Sequence, residues 1–307
     1  RILGLLMMVF SLTLLPPVVV SLIYSDGQAY AFLEGFAVVL LVGALVWWPN
    51  RGNSDDLRVR DGFLITSLFW IVLSLAGSVP FFFSSDPSMR YVDALFEAVS
   101  GLTTTGATVL TGLDAMPESI LWYRQQLQWL GGIGIIVLAV AILPMLGIGG
   151  MQLYRAEVPG PVKDNKLTPR IAETAKALWY IYVGLTAACA LAYWLAGMSW
   201  FDAIGHSFST VAIGGFSTYD ASMSQFDSRA IEVIGSIFLF LSGVNFALHF
   251  MAWRQRNIWQ YLRDPEFRFY AGVLLSACVL AVGVLIVTRT LDPGTAITKG
   301  IFQVISI

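Results

Sequence analysis

Long apolar runs separated by short polar segments dominate the chain. The runs fall at residues 2–23, 31–48, 62–83, 120–146, 177–197, 230–252 and 269–288. Most reach the length of about 18 residues or more that carries a helix across about 30 Å of hydrocarbon. They are continuous and do not alternate in ten-residue segments, which predicts helices and argues against a β-barrel. Pro16 and Pro17 predict a kink in the first run. One polar segment breaks the pattern. "SGLTTTGATVLTG", residues 100–112, lies between two apolar runs, yet glycine and β-branched threonine make a poor helix inside hydrocarbon.

Composition agrees with the pattern. The chain is 57% hydrophobic and 12% charged over 307 residues, about half the charge of an average soluble domain. The expected fold class is an all-α integral membrane protein, with membrane lipid as its first partner. The first run is too long for a signal-peptide core and lacks a small-residue cleavage site. The chain starts at Arg1 and stops at Ile307 within an apolar stretch, which predicts a fragment. Cys189 and Cys278 both lie in apolar runs and are expected to pack. With His206 and His249 as the two histidines, no metal spacing arises. HExxH, Walker and GxSxG patterns are absent, as is any nucleophile–base pair. An enzyme, an organic cofactor and a nucleic-acid partner are therefore not expected.

Charge sets the expected orientation. Thirteen basic residues, in 49–61, 147–176 and 253–268 together with Arg1, fall on one side, and five fall on the other: Arg90, Arg124, Arg229, Arg289 and Lys299. The richer side is expected to be cytoplasmic, so the N-terminus starts inside. Twelve acidic residues map outside against those five bases. Either they form a negative vestibule that concentrates cations, or they are simply unconstrained by the orientation rule.

The chain also repeats itself. "DALFEAVSGLTTTGAT" from Asp93 aligns with "DAIGHSFSTVAIGGFS" from Asp202 at an offset of 109, matching Ser100 with Ser209 and Gly106 with Gly215. At an offset of 206, "GIFQVIS" from Gly300 lies under "ALFEAVS" from Ala94. Each unit reads as an apolar span, a short amphipathic helix, a Gly/Thr/Ser loop and a second span. The expected division is a two-helix element over 1–48, repeats over 62–146 and 177–252, and the start of a third over 269–307. The basic segments stay on one side only if the short helix and loop re-enter from outside. Non-helical backbone at membrane depth is tolerated where it is buried in protein or lines water. Converging loop carbonyls and threonine hydroxyls can replace the hydration shell of a cation. A dry unpaired ion costs of order tens of kcal/mol, so several loops are needed.

At these residues the chain resembles the Trk/Ktr/HKT superfamily of potassium transporters, most closely the bacterial Trk-type uptake membrane subunit. The likeness is carried by "GLTTTGAT" at 101–108, "QWLGGIGIIVLAVAILPMLG" at 128–147, "GGMQLYRAEVPGPVKDNK" at 149–166, "PRIAETAK" at 169–176 and "DAIGHSFSTVAIGGFST" at 202–218. The resemblance implies four helix–pore-loop–helix repeats around one potassium-channel-like pore. The remainder of the third repeat, with the family's gating loop, and the fourth repeat are not in this chain, which is not expected to conduct alone. Carried over by position, the filter residues are Thr103, Thr104, Thr105 and Gly106 in the first loop. In the second they are Ala212, Ile213, Gly214 and Gly215. Potassium contacts are expected at the carbonyls of Thr104, Thr105, Ile213 and Gly214. Gly106, a serine in sodium-permeable plant relatives, favours potassium. The resemblance further implies a bacterial inner-membrane location, a homodimer and a cytosolic nucleotide-binding regulatory ring of RCK type, contacting 155–176 and 254–268. Channel-like permeation and ion-coupled symport both remain open, and the alternative function is a non-conducting scaffold or receptor subunit.

Other polar residues are expected in structural roles. Asp93 and Asp202 start the short helices and are expected to cap them. His206 is expected to pack or hydrogen-bond. Gly131, Gly132 and Gly134 are expected to allow close helix packing. Ser242 and Asn245 either face the cavity below the filter or bond another helix. Arg124 is expected to snorkel at an outer boundary.

Overall fold

The computed structural model describes residues 1–52, 59–137 and 171–307. Helices account for all their regular structure, with no strand among the described residues. The first apolar run forms α1 (Ile2–Leu12) and α2 (Leu15–Tyr24), broken two residues before Pro16, whose missing N–H is harmless in a first helical turn. α3 (Ala29–Trp47) returns along α1. α4 (Val59–Phe83) packs against the short α5 (Tyr91–Leu102), and α6 (Glu118–Val137) follows a polar loop. The pattern recurs with α7 (Ile171–Leu195) packed on the short α8 (Trp200–Val211), then α9 (Arg229–Ser242) and α10 (Phe246–Gln255). A short α11 (Trp259–Arg263) leads to α12 (Pro265–Val287), which packs on α13 (Pro293–Ser306).

Two apolar cores result. One gathers Phe10, Phe32, Phe81, Ala98 and Leu127 from α1, α3, α4, α5 and α6. The other gathers Tyr182, Cys189, Ala203 and Ile231 from α7, α8 and α9, with Ile133 from α6. α6 therefore belongs to both. Close packing needs its glycines. A Cβ on Gly131 would overlap the Leu102 carbonyl, one on Gly132 the Tyr182 hydroxyl, and one on Gly134 would press on the Trp70 ring.

Four segments are long and apolar enough to cross a membrane: Ile2–Tyr24, Ala29–Asn50, Lys176–Leu195 and Pro265–Val287. The expected spans 62–83, 120–146 and 230–252 are not among these four. For α4, Ser67–Phe83 is an apolar stretch among the described residues. α6 carries Arg124, Gln125, Gln126 and Gln128, which lower its hydropathy yet lie buried against protein. Residues 138–146 of that span lie outside the described residues. The run 230–252 is not one helix. It breaks at Gly243 and Val244, and Asn245 stands at the break. There the Tyr270 hydroxyl donates to the Phe240 carbonyl at 3.2 Å, and His249 Nε2 to the Leu241 carbonyl at 2.9 Å. Ser242 is buried beside them. Cys189 and Cys278 are both unpaired and buried.

Candidate functional site

α5 and α8 are each 12 residues long and amphipathic. Their C-terminal ends close identically. Thr105 N donates to Ser100 O at 2.9 Å and Gly214 N to Ser209 O at 2.8 Å, each residue matched at the offset of 109. Such closures place a residue in the left-handed region. Glycine usually takes that place, but here Thr104 (φ +54°) and Ile213 (φ +53°) do. Two residues on, Gly106 (φ +75°) and Gly215 (φ +87°) are left-handed again, while Thr105 and Gly214 between them are not. Both loops thus alternate in handedness at the same register.

The loops converge on one cavity of about 610 Å³. Thr104, Thr105 and Gly106 line it from one side and Ile213, Gly214 and Gly215 from another. Phe302, Gln303 and Ser306 at the end of α13 also line it, as do Tyr193 of α7 and His206 of α8. The two backbones touch, since a Cβ built on Gly106 would overlap the carbonyl oxygen of Gly214. Three short helices deliver their C-terminal ends here, the negative ends of their dipoles. Thr103 and Ala212 stand apart from the lining. Thr103 caps α5, with its hydroxyl donating to Val99 O at 2.7 Å. Ala212 is buried against Gly132 of α6.

Behind the loops lies a network that the sequence reading missed. Arg124 does not snorkel. It is fully buried and pairs with buried Glu97 of α5 at 3.3 Å. Its lone charge in "LWYRQQLQW", opposite a lone acid on the apolar face of α5, was the available signal. Glu97 accepts from the Thr108 hydroxyl and, at 2.8 Å, from Val109 N. Gln128 Oε1 accepts from Phe216 N at 3.0 Å, and its amide fills the space where a Cβ on Gly214 would stand. Asp220 of the second loop accepts from Gly112 N and Leu113 N, beyond the first.

The capping expectations are corrected. Asp93 forms an exposed pair with Arg90 at 2.9 Å, which holds its carboxyl below the usual range, and α5 has no side-chain cap. α8 is capped by Ser199, whose hydroxyl accepts from Asp202 N at 3.0 Å. The Asp202 carboxylate instead accepts from Thr218 at 2.9 Å and Tyr219 at 3.1 Å, tying the helix start to the loop end. His206 takes the hydrogen-bonding role expected of it. Its Nδ1 donates to Asp202 O at 2.9 Å, which leaves Nε2 to accept from the Ser217 hydroxyl at 3.0 Å.

A family model described as a cation transport protein, TrkH, matches residues 28–307. The chain belongs to the TrkH family. It is 57% identical over its whole length to the Trk system potassium uptake protein TrkH of Halomonas elongata and to that of Escherichia coli K12. It is 44% identical over 285 residues to the Trk system potassium uptake protein TrkG of Escherichia coli K12. The crystal structure of the potassium transporter TrkH from Vibrio parahaemolyticus matches with a TM-score of 0.88 at 52% identity, covering 100% of this chain and 63% of that one. The chain spans 64% of the length of the TrkH relatives it matches. With a TrkH-family fold and four apolar helical segments long enough to span, it is an all-α integral membrane protein.

Proposed function

We propose that this chain supplies part of a potassium uptake pathway across the bacterial cytoplasmic membrane, with its N-terminus inside. The single observation that carries the reading is the matched left-handed alternation of two loops on one cavity. Thr104, Thr105, Ile213 and Gly214 offer carbonyl oxygens to a dehydrating potassium ion there. The relatives' names, potassium uptake proteins, support potassium as the ion.

The division into a two-helix element over 1–48, repeats over 62–146 and 177–252 and the start of a third over 269–307 belongs to the same proposal. So do a homodimer and gating by a cytosolic nucleotide-binding ring. Of the two basic surfaces assigned to that ring, 254–268 lies within the described residues, and 155–176 lies outside them except for its last six positions.

The test is flux of potassium, rubidium, sodium and lithium into liposomes holding the full-length protein, with and without Gly106→Ser. Potassium- and rubidium-selective flux that loses selectivity in the variant is expected. No flux under any condition, including with the cytosolic partner and nucleotides, replaces the reading with a non-conducting scaffold.

A further inference from the structure

The Glu97–Arg124 pair does not line the cavity. Burying two charges is costly, and only good geometry with added hydrogen bonds offsets it. Arg124 divides its planar fork between two loops. Nε faces Glu97 at 3.3 Å, Nη2 donates to Thr108 Oγ1 at 3.1 Å, and Nη1 donates to Ser217 O at 3.0 Å. Its Cζ lies 4.3 Å from the centre of the Phe216 ring, within cation–π range. One guanidinium therefore holds both the first loop and the second.

The internal repeat sharpens this. At the offset of 109, Glu97 matches His206 and Thr108 matches Ser217. Glu97 bonds the Thr108 hydroxyl and His206 bonds the Ser217 hydroxyl, each pair 11 residues apart. Both hydroxyls stand two residues beyond a filter glycine, Gly106 or Gly215. Each repeat thus carries a strut from the middle of its short helix to the far end of its loop. The position matching Arg124 is Val233, so the arginine occurs only in the first copy and serves both loops.

We propose that Arg124 is a positioning residue for ion selection, locking the first loop to the second and fixing the spacing where Gly106 meets the Gly214 carbonyl. The proposal rests on the filter reading above. Lysine is the informative replacement. It keeps a charge beside Glu97 but lacks the fork that reaches Thr108 and Ser217 together.

The experiment uses the full-length protein with Arg124→Lys and, as a second variant, Thr108→Val. Deuterium exchange is followed at 104–110 and 213–219, and the potassium-to-sodium flux ratio is measured in liposomes. For Arg124→Lys, faster exchange in both loops and a flux ratio lowered about tenfold are expected, about 1.4 kcal/mol of discrimination. For Thr108→Val, exchange rises in the first loop and less in the second, and the ratio falls by less. Second-loop exchange equal to the parent's in Arg124→Lys overturns the coupling. Faster exchange with an unchanged flux ratio overturns the selection role. Should Arg124→Lys fail to accumulate in membranes, Thr108→Val decides by the same readouts, with parental first-loop exchange or a parental ratio overturning the proposal. A parent without flux removes the filter reading and with it the selection role, and the exchange result then decides the coupling alone.

Discussion

Ile213 is the most telling single residue. A β-branched side chain at φ +53° is a backbone outlier, at a cost of about 1–2 kcal/mol, and the same strain recurs at Thr104. Strain of this kind collects at ligand clamps. The two matched loop glycines, Gly106 and Gly215, are both left-handed but have different surroundings. A Cβ on Gly106 would overlap the Gly214 carbonyl, whereas one on Gly215 meets nothing within 4 Å. Gly106→Ala is therefore expected to disturb selectivity as strongly as Gly106→Ser, because the Cβ and not the hydroxyl displaces the carbonyl. Gly215→Ala is expected to cost only backbone strain, about 1–2 kcal/mol, seen as a lower unfolding temperature in detergent. Equal selectivity loss at both positions would sink the contact argument. That both glycines take matched places in their loops was legible in their register. The difference between them was not, because it depends on a contact between residues 108 apart.

Among the elements, the loop joining α2 to α3 clasps the start of α6. Asp26 accepts from Ser119 N at 2.8 Å, from Gln28 N at 3.1 Å and from the Ser21 hydroxyl. Burial pushes its pKa up, but these hydrogen bonds outweigh burial and hold the carboxyl below its usual range. A carboxylate lowered by folding stabilises above its unfolded pKa, near pH 4, and the contribution fades as pH falls through the lowered folded value. Asp26→Asn is expected to cost about 1 kcal/mol at neutral pH, as a lost helix cap does. Its unfolding temperature should converge with the parent's in acid, and a gap that persists there would overturn the assignment. The break between α9 and α10 gives a second expectation. Tyr270→Phe removes the donor to the Phe240 carbonyl and is expected to cost about 1 kcal/mol in thermal unfolding, whereas no change would mean that the carbonyl finds another donor. The break was hidden because 230–252 reads as one predominantly apolar run, in which Gly243 and Asn245 have an ordinary packing reading. Hydropathy registers burial in oil or protein alike, not the side-chain donors that let a helix stop.

For the whole molecule, α6 joins the two cores and supports both loops. Leu127 is fully buried in the first core, against Gly101 and Gly77. Leu127→Ala is expected to cost about 2–5 kcal/mol and to speed exchange in α5 and α8 together. Loosening confined to α5 would show that the halves are independent. Phe32→Ala, a similar cavity in the first core where the ring meets Tyr123 of α6 at 5.3 Å between centroids, is expected to leave α8 protected. The two variants together separate a shared hub from a local defect.

The sequence by itself determined the membrane class, most of the apolar helices, the internal repeat and the position of both glycine-bearing loops. Each of these is written locally, as hydrophobic run length, turn composition or self-similarity. Tertiary structure alone decided that Arg124 is buried, that Asp202 ties a loop instead of capping a helix, and that one arginine serves two repeats. Arg124 and Ser217 are 93 residues apart. Each has an ordinary local reading, an arginine near a membrane boundary and a serine in a loop, and only the packing of α6 behind both loops gives the pair its meaning.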